Sequence, residues 1–173
     1  KKYGNGSYRG TVNSIREFLQ KDSIPYEEYF DIKKEFVQEI IDFIDSLPNY
    51  IELDYQGKHY VMVHAGVDPE VTNIEDSDPE LLAWIREYFY MNPCNPEYTY
   101  IFGHTPLCYV NDDHSFNIWY DPDYHNKIGI DGGLAVADKG QLNCLCLTDG
   151  TSYKIPYKDG QPGELQRIIK DLK

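Results

Sequence analysis

Tyr60-Val61-Met62-Val63-His64-Ala65-Gly66 and Tyr100-Ile101-Phe102-Gly103-His104-Thr105-Pro106 decide how this chain is read. Each is a β-branched and aromatic run that meets a histidine and then breaks at Gly or Pro. That is the pattern of a buried strand. A histidine where a strand leaves the core occupies the usual place for a site in an open α/β sheet. Two strands with His at equivalent ends can bring two imidazoles to one point, and neutral imidazole is a preferred ligand for transition metals. One such His is more often a hydrogen-bonded structural group. The matched pair points to a metal.

Two further segments fit around the pair. Leu82-Ala83-Trp84-Ile85-Arg86-Glu87 lies between the histidine runs, and Ile128-Gly129-Ile130-Asp131-Gly132-Gly133 follows them. In this order the four segments resemble the PPP-type metallophosphoesterases, a family that includes Ser/Thr protein phosphatases and bacterial symmetrical diadenosine tetraphosphatases. Val63–Gly66 and Phe102–Pro106 resemble the family's last two metal-ligand motifs. Trp84-Ile85-Arg86 is similar to the Trp-x-Arg segment of the bacterial and phage branch. Gly103-His104-Thr105 carries Thr where other metallophosphoesterase branches have a second His, which favours the PPP branch.

The resemblance implies a two-metal phosphoester hydrolase with His64 and His104 as ligands of one ion and Arg86 on the substrate phosphate. It implies Mn as the metal, although imidazole and carboxylate ligands also accept Fe or Zn. In such sites the ion pair activates a bridging water and neutralises the phosphoryl oxygens. A guanidinium suits the phosphate role because it is planar, permanently charged and bidentate. The bland alternative for Arg86 is a surface residue paired with Glu87. Asp131 ends a strand beside Gly132-Gly133, so it is a candidate to orient a ligand His from behind; the alternative is an ordinary turn residue.

The family's earlier motifs, of the forms Gly-Asp-x-His, Gly-Asp-x-x-Asp-Arg-Gly and Gly-Asn-His-Glu, do not occur in the 173 residues. Gly4-Asn5-Gly6 resembles only the Asn-Gly segment that follows the last of them. Residues 1–173 are therefore expected to be the C-terminal portion of one metallophosphoesterase domain. Roughly 70–90 residues of strand-helix-strand framework would precede it, judged from the size of βαβ units. Two imidazoles bind a divalent ion weakly, because stable sites have three or four protein ligands. The chain alone is expected to be inactive.

Bulk properties agree with a globular domain. The length suits a single core, and 41% hydrophobic with 26% charged residues are globular values. No apolar run approaches the ~20 residues needed to span a bilayer, and the start lacks a signal-peptide core. The net charge of −13 argues against binding a nucleic-acid backbone. It does not exclude phosphorylated substrates, because bound metals would reverse the local sign. None of Cys94, Cys108, Cys144 and Cys146 forms a Cys-x-x-Cys pair. Cys144 and Cys146 alternate in a strand pattern and are expected as buried thiols. A reduced, cytoplasmic setting follows.

Along the chain, helices are expected at 11–19 and 32–47, the latter burying Phe36, Ile40, Phe43, Ile44 and Leu47. A hairpin follows around Gln56-Gly57. Val67–Asp78 reads as an acidic loop. A helix over 80–90 carries Leu81, Trp84, Ile85, Tyr88 and Phe89 on one face. Strands are expected at 98–102, 116–120 and 127–131, then a hairpin of 142–147 and 152–156, then an amphipathic tail helix over 163–173. The late strands read as antiparallel, so the fold class is α+β. The resemblance implies a four-layer αββα sandwich, of which this would be the C-terminal part.

Phosphoserine or phosphothreonine protein is the leading substrate, with a dinucleoside tetraphosphate as the competing one. A degenerate, non-catalytic module that binds a partner through its aromatic surface is a second class. A zinc hydrolase using His64 and His104 with Asp68 or Asp131 is a third.

Overall fold

The computed structural model of the chain describes residues 37–135 and 139–168, divided into two units between Pro48 and Asn49. In the first unit a helix, α1, covers residues 37–45, inside the expected 32–47. The helix expected at 11–19 lies outside the described residues.

The second unit contains a sheet that begins with a hairpin. β1 (Tyr50–Tyr55) and β2 (Lys58–Val63) are antiparallel, joined by Gln56 and Gly57. Both turn residues have positive φ, 49° and 75°. That is the type I′ geometry whose twist matches the strands. α2 (Pro79–Trp84) and α3 (Glu87–Tyr90) then lead to β3 (Tyr98–Phe102). β4 (Trp119–Tyr120) and β5 (Lys127–Gly129) complete a sheet of order β1-β2-β3-β5-β4. Its central strands β2, β3 and β5 are parallel, and only the outer pairs are antiparallel. The antiparallel expectation is corrected for β3 and β5, which are parallel neighbours, whereas β4 pairs antiparallel with β5 as expected; the helical crossover between β2 and β3 likewise returns the chain in the same direction.

β6 (Gln141–Leu145) and β7 (Ser152–Lys158) form the expected second hairpin. β8 (Gln161–Pro162) and β9 (Gln166–Ile168) pair with the other edge of β7. The tail helix is thus corrected over 166–168, where an open edge of β7 captures the chain as a strand. Residues 169–173 lie outside the described residues. The described residues are mixed α+β, with two sheets and few helices.

Alternation along the strands gives the first sheet two apolar faces. On one, Val61, Val63, Tyr100 and Phe102 pack with Leu82, Ile85 and Phe89 of the helical segment. On the other, Tyr60, Ile101 and Ile128 pack with Leu145 and Leu147 from the second hairpin. Inside the first face lies a buried ion pair, Lys127 Nζ to Asp121 Oδ2 at 3.0 Å, with side chains 0% and 1% exposed. Asp121 Oδ1 accepts from the backbone N–H groups of Asp123 and Tyr124, so the carboxylate is satisfied twice over. All four cysteines are free thiols. Cys144 is exposed, not buried, and Cys146 lies just past the end of β6, half-buried. Burial pushes the Cys94 thiol up to about 11. Among the described residues no helix is long and apolar enough to cross a membrane.

Candidate metal centre

Parallel pairing in register sets the site. Val63 of β2 lies opposite Phe102 of β3, so the two strands end level. The Gly103 N–H donates to the His64 carbonyl at 2.9 Å, carrying the ladder one step past the strands. His104 then has φ +64°. The Thr105 N–H reaches back to the Gly103 carbonyl at 2.6 Å, closing a γ-turn with His104 at its centre. Positive φ costs a residue with a Cβ about 1–2 kcal/mol. Here the reversal turns the imidazole of His104 toward that of His64.

The rings meet with His64 Nε2 3.1 Å from His104 Nδ1, their centroids 4.9 Å apart at 60°. Two nitrogens each about 2.1 Å from one ion would lie about 3.0 Å apart at a right angle and about 3.4 Å apart at a tetrahedral angle. The observed separation matches the right angle of an octahedral site, and it also serves as a ring-to-ring hydrogen bond. His104 Nε2 is buried without a hydrogen-bond partner among the described residues, so Nδ1 is the nitrogen the fold engages. Burial, and then the positive charge of Arg86, hold the pKa of His104 below the usual range, with Asp131 opposing. The ring therefore stays in the neutral form that ligation requires. The pair fits a divalent ion as two of its ligands. Among the described residues no group of three or more His, Cys, Asp or Glu side chains is arranged to hold one. Asp68 and Asp131 do not complete the set, so the three-ligand zinc arrangement is not formed by them.

The helix expected over 80–90 is two helices, which corrects that reading and explains where Arg86 sits. Asp78 caps the first through the Glu80 N–H, with Pro79 in its first turn. Ile85 is extended, with ψ 146°, and Arg86 is neither helical nor extended. The break lets Ile85 and Phe89 both reach Gly66, where a Cβ would come within 2.9 Å and 2.3 Å of them. It also lets the Ala65 N–H bond the Leu82 carbonyl at 2.9 Å, tying the exit of β2 to the end of α2. Arg86 is left exposed, with Nη1 3.4 Å from the His104 carbonyl and 3.5 Å from Thr105 Oγ1. Both contacts are long. Its other donors have no partner among the described residues, and no ion pair with Glu87 forms. Trp84 stands perpendicular to His104 with its ring 67% exposed.

Asp131 is set by a turn. Its Oδ1 accepts the Gly133 N–H at 2.8 Å, and its carbonyl accepts the Leu107 N–H at 3.0 Å. It acts on His104 through its charge and not through a hydrogen bond. His114 and His125 bond backbone carbonyls, as ordinary histidines do. His59 sits between Asp54 at 2.6 Å and Glu52 at 3.0 Å. The two-residue turn could have signalled it, because it places Asp54 directly opposite His59.

No protein-family model matches the chain, and no curated protein matches it.

Proposed function

We propose that the chain is part of a PPP-type, metal-dependent phosphoester hydrolase acting on phosphoserine or phosphothreonine protein. In this reading it is the C-terminal part of the four-layer sandwich. His64 Nε2 and His104 Nδ1 hold one of two divalent ions, Mn in preference to Fe or Zn. The observation that carries the reading is their 3.1 Å approach beside an exposed guanidinium. When bound, the ion pair would supply an activated water and offset phosphoryl charge.

The chain's own residues then have separate tasks. Arg86, held near the His104 carbonyl, presents its free N–H donors to phosphate oxygens. Asp131 moderates the charge around His104. The ligands these residues do not supply come from protein outside the described set, and the chain alone binds metal weakly and turns over little.

Two measurements test this. Titrating Mn²⁺ into the 173-residue chain should broaden the imidazole NMR signals of His64 and His104 together, ahead of those of His59, His114 and His125. Broadening that spares either ring sinks the metal assignment. Robust p-nitrophenyl phosphate turnover by the chain alone sinks the incomplete-centre reading. A second substrate, the dinucleoside tetraphosphates, is favoured by one observation: the exposed Trp84 ring beside His104 offers a stacking surface to a nucleobase.

A further inference from the structure

A cleft of about 350 Å³ opens between α3 and the sheet edge at β4. Tyr90, Met91, Trp119 and Tyr120 line it, together with Asp112 and Asp123. The rings of Tyr90 and Trp119 meet at 68° with centroids 6.2 Å apart, forming an aromatic corner. Trp119 is fixed from behind by Phe102, at 6.1 Å and 76°. Among the described residues, Asp112 and Asp123 are exposed and make no ion pair, and no Lys or Arg lines the cleft.

We propose that this cleft binds the arginine side chain of a partner polypeptide. Aromatic faces attract a cation through their quadrupole. A guanidinium also stacks flat on such a face while its edge meets carboxylates. An anion would face two like charges. A neutral apolar group would fill the corner and leave both carboxylates unused. The chain already solves the same problem internally: the Lys127 ammonium lies 4.6 Å from the centre of the Tyr124 ring and 3.0 Å from Asp121. Both walls continue from the candidate metal centre. The Tyr90 N–H bonds the Arg86 carbonyl at 3.4 Å, and Asp112 follows the helical turn Leu107–Tyr109 that begins just after His104. The inference does not rest on the hydrolase reading, since neither metal nor phosphate takes part.

The test uses the chain with Trp84→Phe, which leaves Trp119 as its one tryptophan. The indole N–H shift of Trp119 is followed by NMR at low salt while acetyl-Ala-Arg-Ala-amide is added, and again with citrulline, the neutral isostere, in place of Arg. The arginine peptide should bind roughly tenfold more tightly than the citrulline one, as expected for cation–π attraction aided by carboxylates. The exposed double change Asp112→Asn with Asp123→Asn should remove most of that preference without disturbing the fold. Equal shifts from the two peptides, no shift from either, or an unchanged preference in the double variant would each overturn the proposal.

Discussion

The indole of Trp84 meets the imidazole of His104 edge to face, at 89° with centroids 5.4 Å apart. Such a pair contributes about 0.5–1.5 kcal/mol beyond buried area. In the proposed centre this contact holds the ring whose Nδ1 faces His64. Trp84→Ala should weaken Mn²⁺ binding at the histidine pair about three- to tenfold. The rest of Trp84 faces solvent, so urea denaturation should stay nearly unchanged. An unaltered Mn²⁺ titration would show that the contact does not position the ring.

Among the described residues Arg86 makes only two long contacts, which in the proposed site leaves its charge for substrate. In an active phosphoesterase containing this chain, Arg86→Ala should raise KM, lower kcat and cost roughly 10- to 100-fold in kcat/KM, the size of a charged hydrogen bond. Arg86→Lys should recover part of the loss, because it keeps the charge and loses the fork. Steady-state kinetics on p-nitrophenyl phosphate decide it. Unchanged constants remove Arg86 from the site.

Lys127 and Asp121 are a buried pair, and removing one partner leaves the other charge without compensation. Lys127→Met should cost about 3–5 kcal/mol in urea unfolding. Adding Asp121→Asn should return much of that. A double variant as unstable as the single one would mean that Lys127 matters through packing.

His59 is raised above its ordinary pKa, first by its hydrogen bond with Glu52 and then by that with Asp54. A base whose folded pKa exceeds its unfolded value adds stability that is complete below the unfolded pKa, about 6.5. The contribution is lost as pH rises through the folded pKa. Between pH 6 and pH 9 the chain should therefore lose stability relative to its His59→Gln variant. Parallel curves of urea midpoint against pH would contradict the clamp.

Where local chemistry decides, the fold was legible. β3 is expected at 98–102 and is found there, because a β-branched and aromatic run bounded by Pro96 and Gly103 has few alternatives. Gln56-Gly57 specified the first hairpin through its turn type. The approach of His64 to His104 followed from equal positions on neighbouring strands. Where a distant partner decides, reading failed. Apolar spacing over Leu81, Trp84, Ile85, Tyr88 and Phe89 runs on as one helix, yet the helix breaks at Ile85-Arg86, where Ile85 and Phe89 both close on Gly66, far back in the chain. Leu165 and Ile168 are spaced for a helix, yet the open side of β7 took 166–168 as a strand. Cys144 reads as a buried strand thiol, yet it stands at an exposed position of β6, an edge strand paired on one side by β7.

In the proposed centre, the left-handed backbone at His104 makes the two ligand positions unequal in how they can change over generations. At 64 the peptide is ordinary, so Asp, Glu or Cys can be tried there with little conformational penalty. At 104 only Asn, Asp and His among side chains that can bind a metal sit readily with φ near +60°. Drift toward a different metal should therefore enter through position 64, while 104 keeps a short polar or imidazole group.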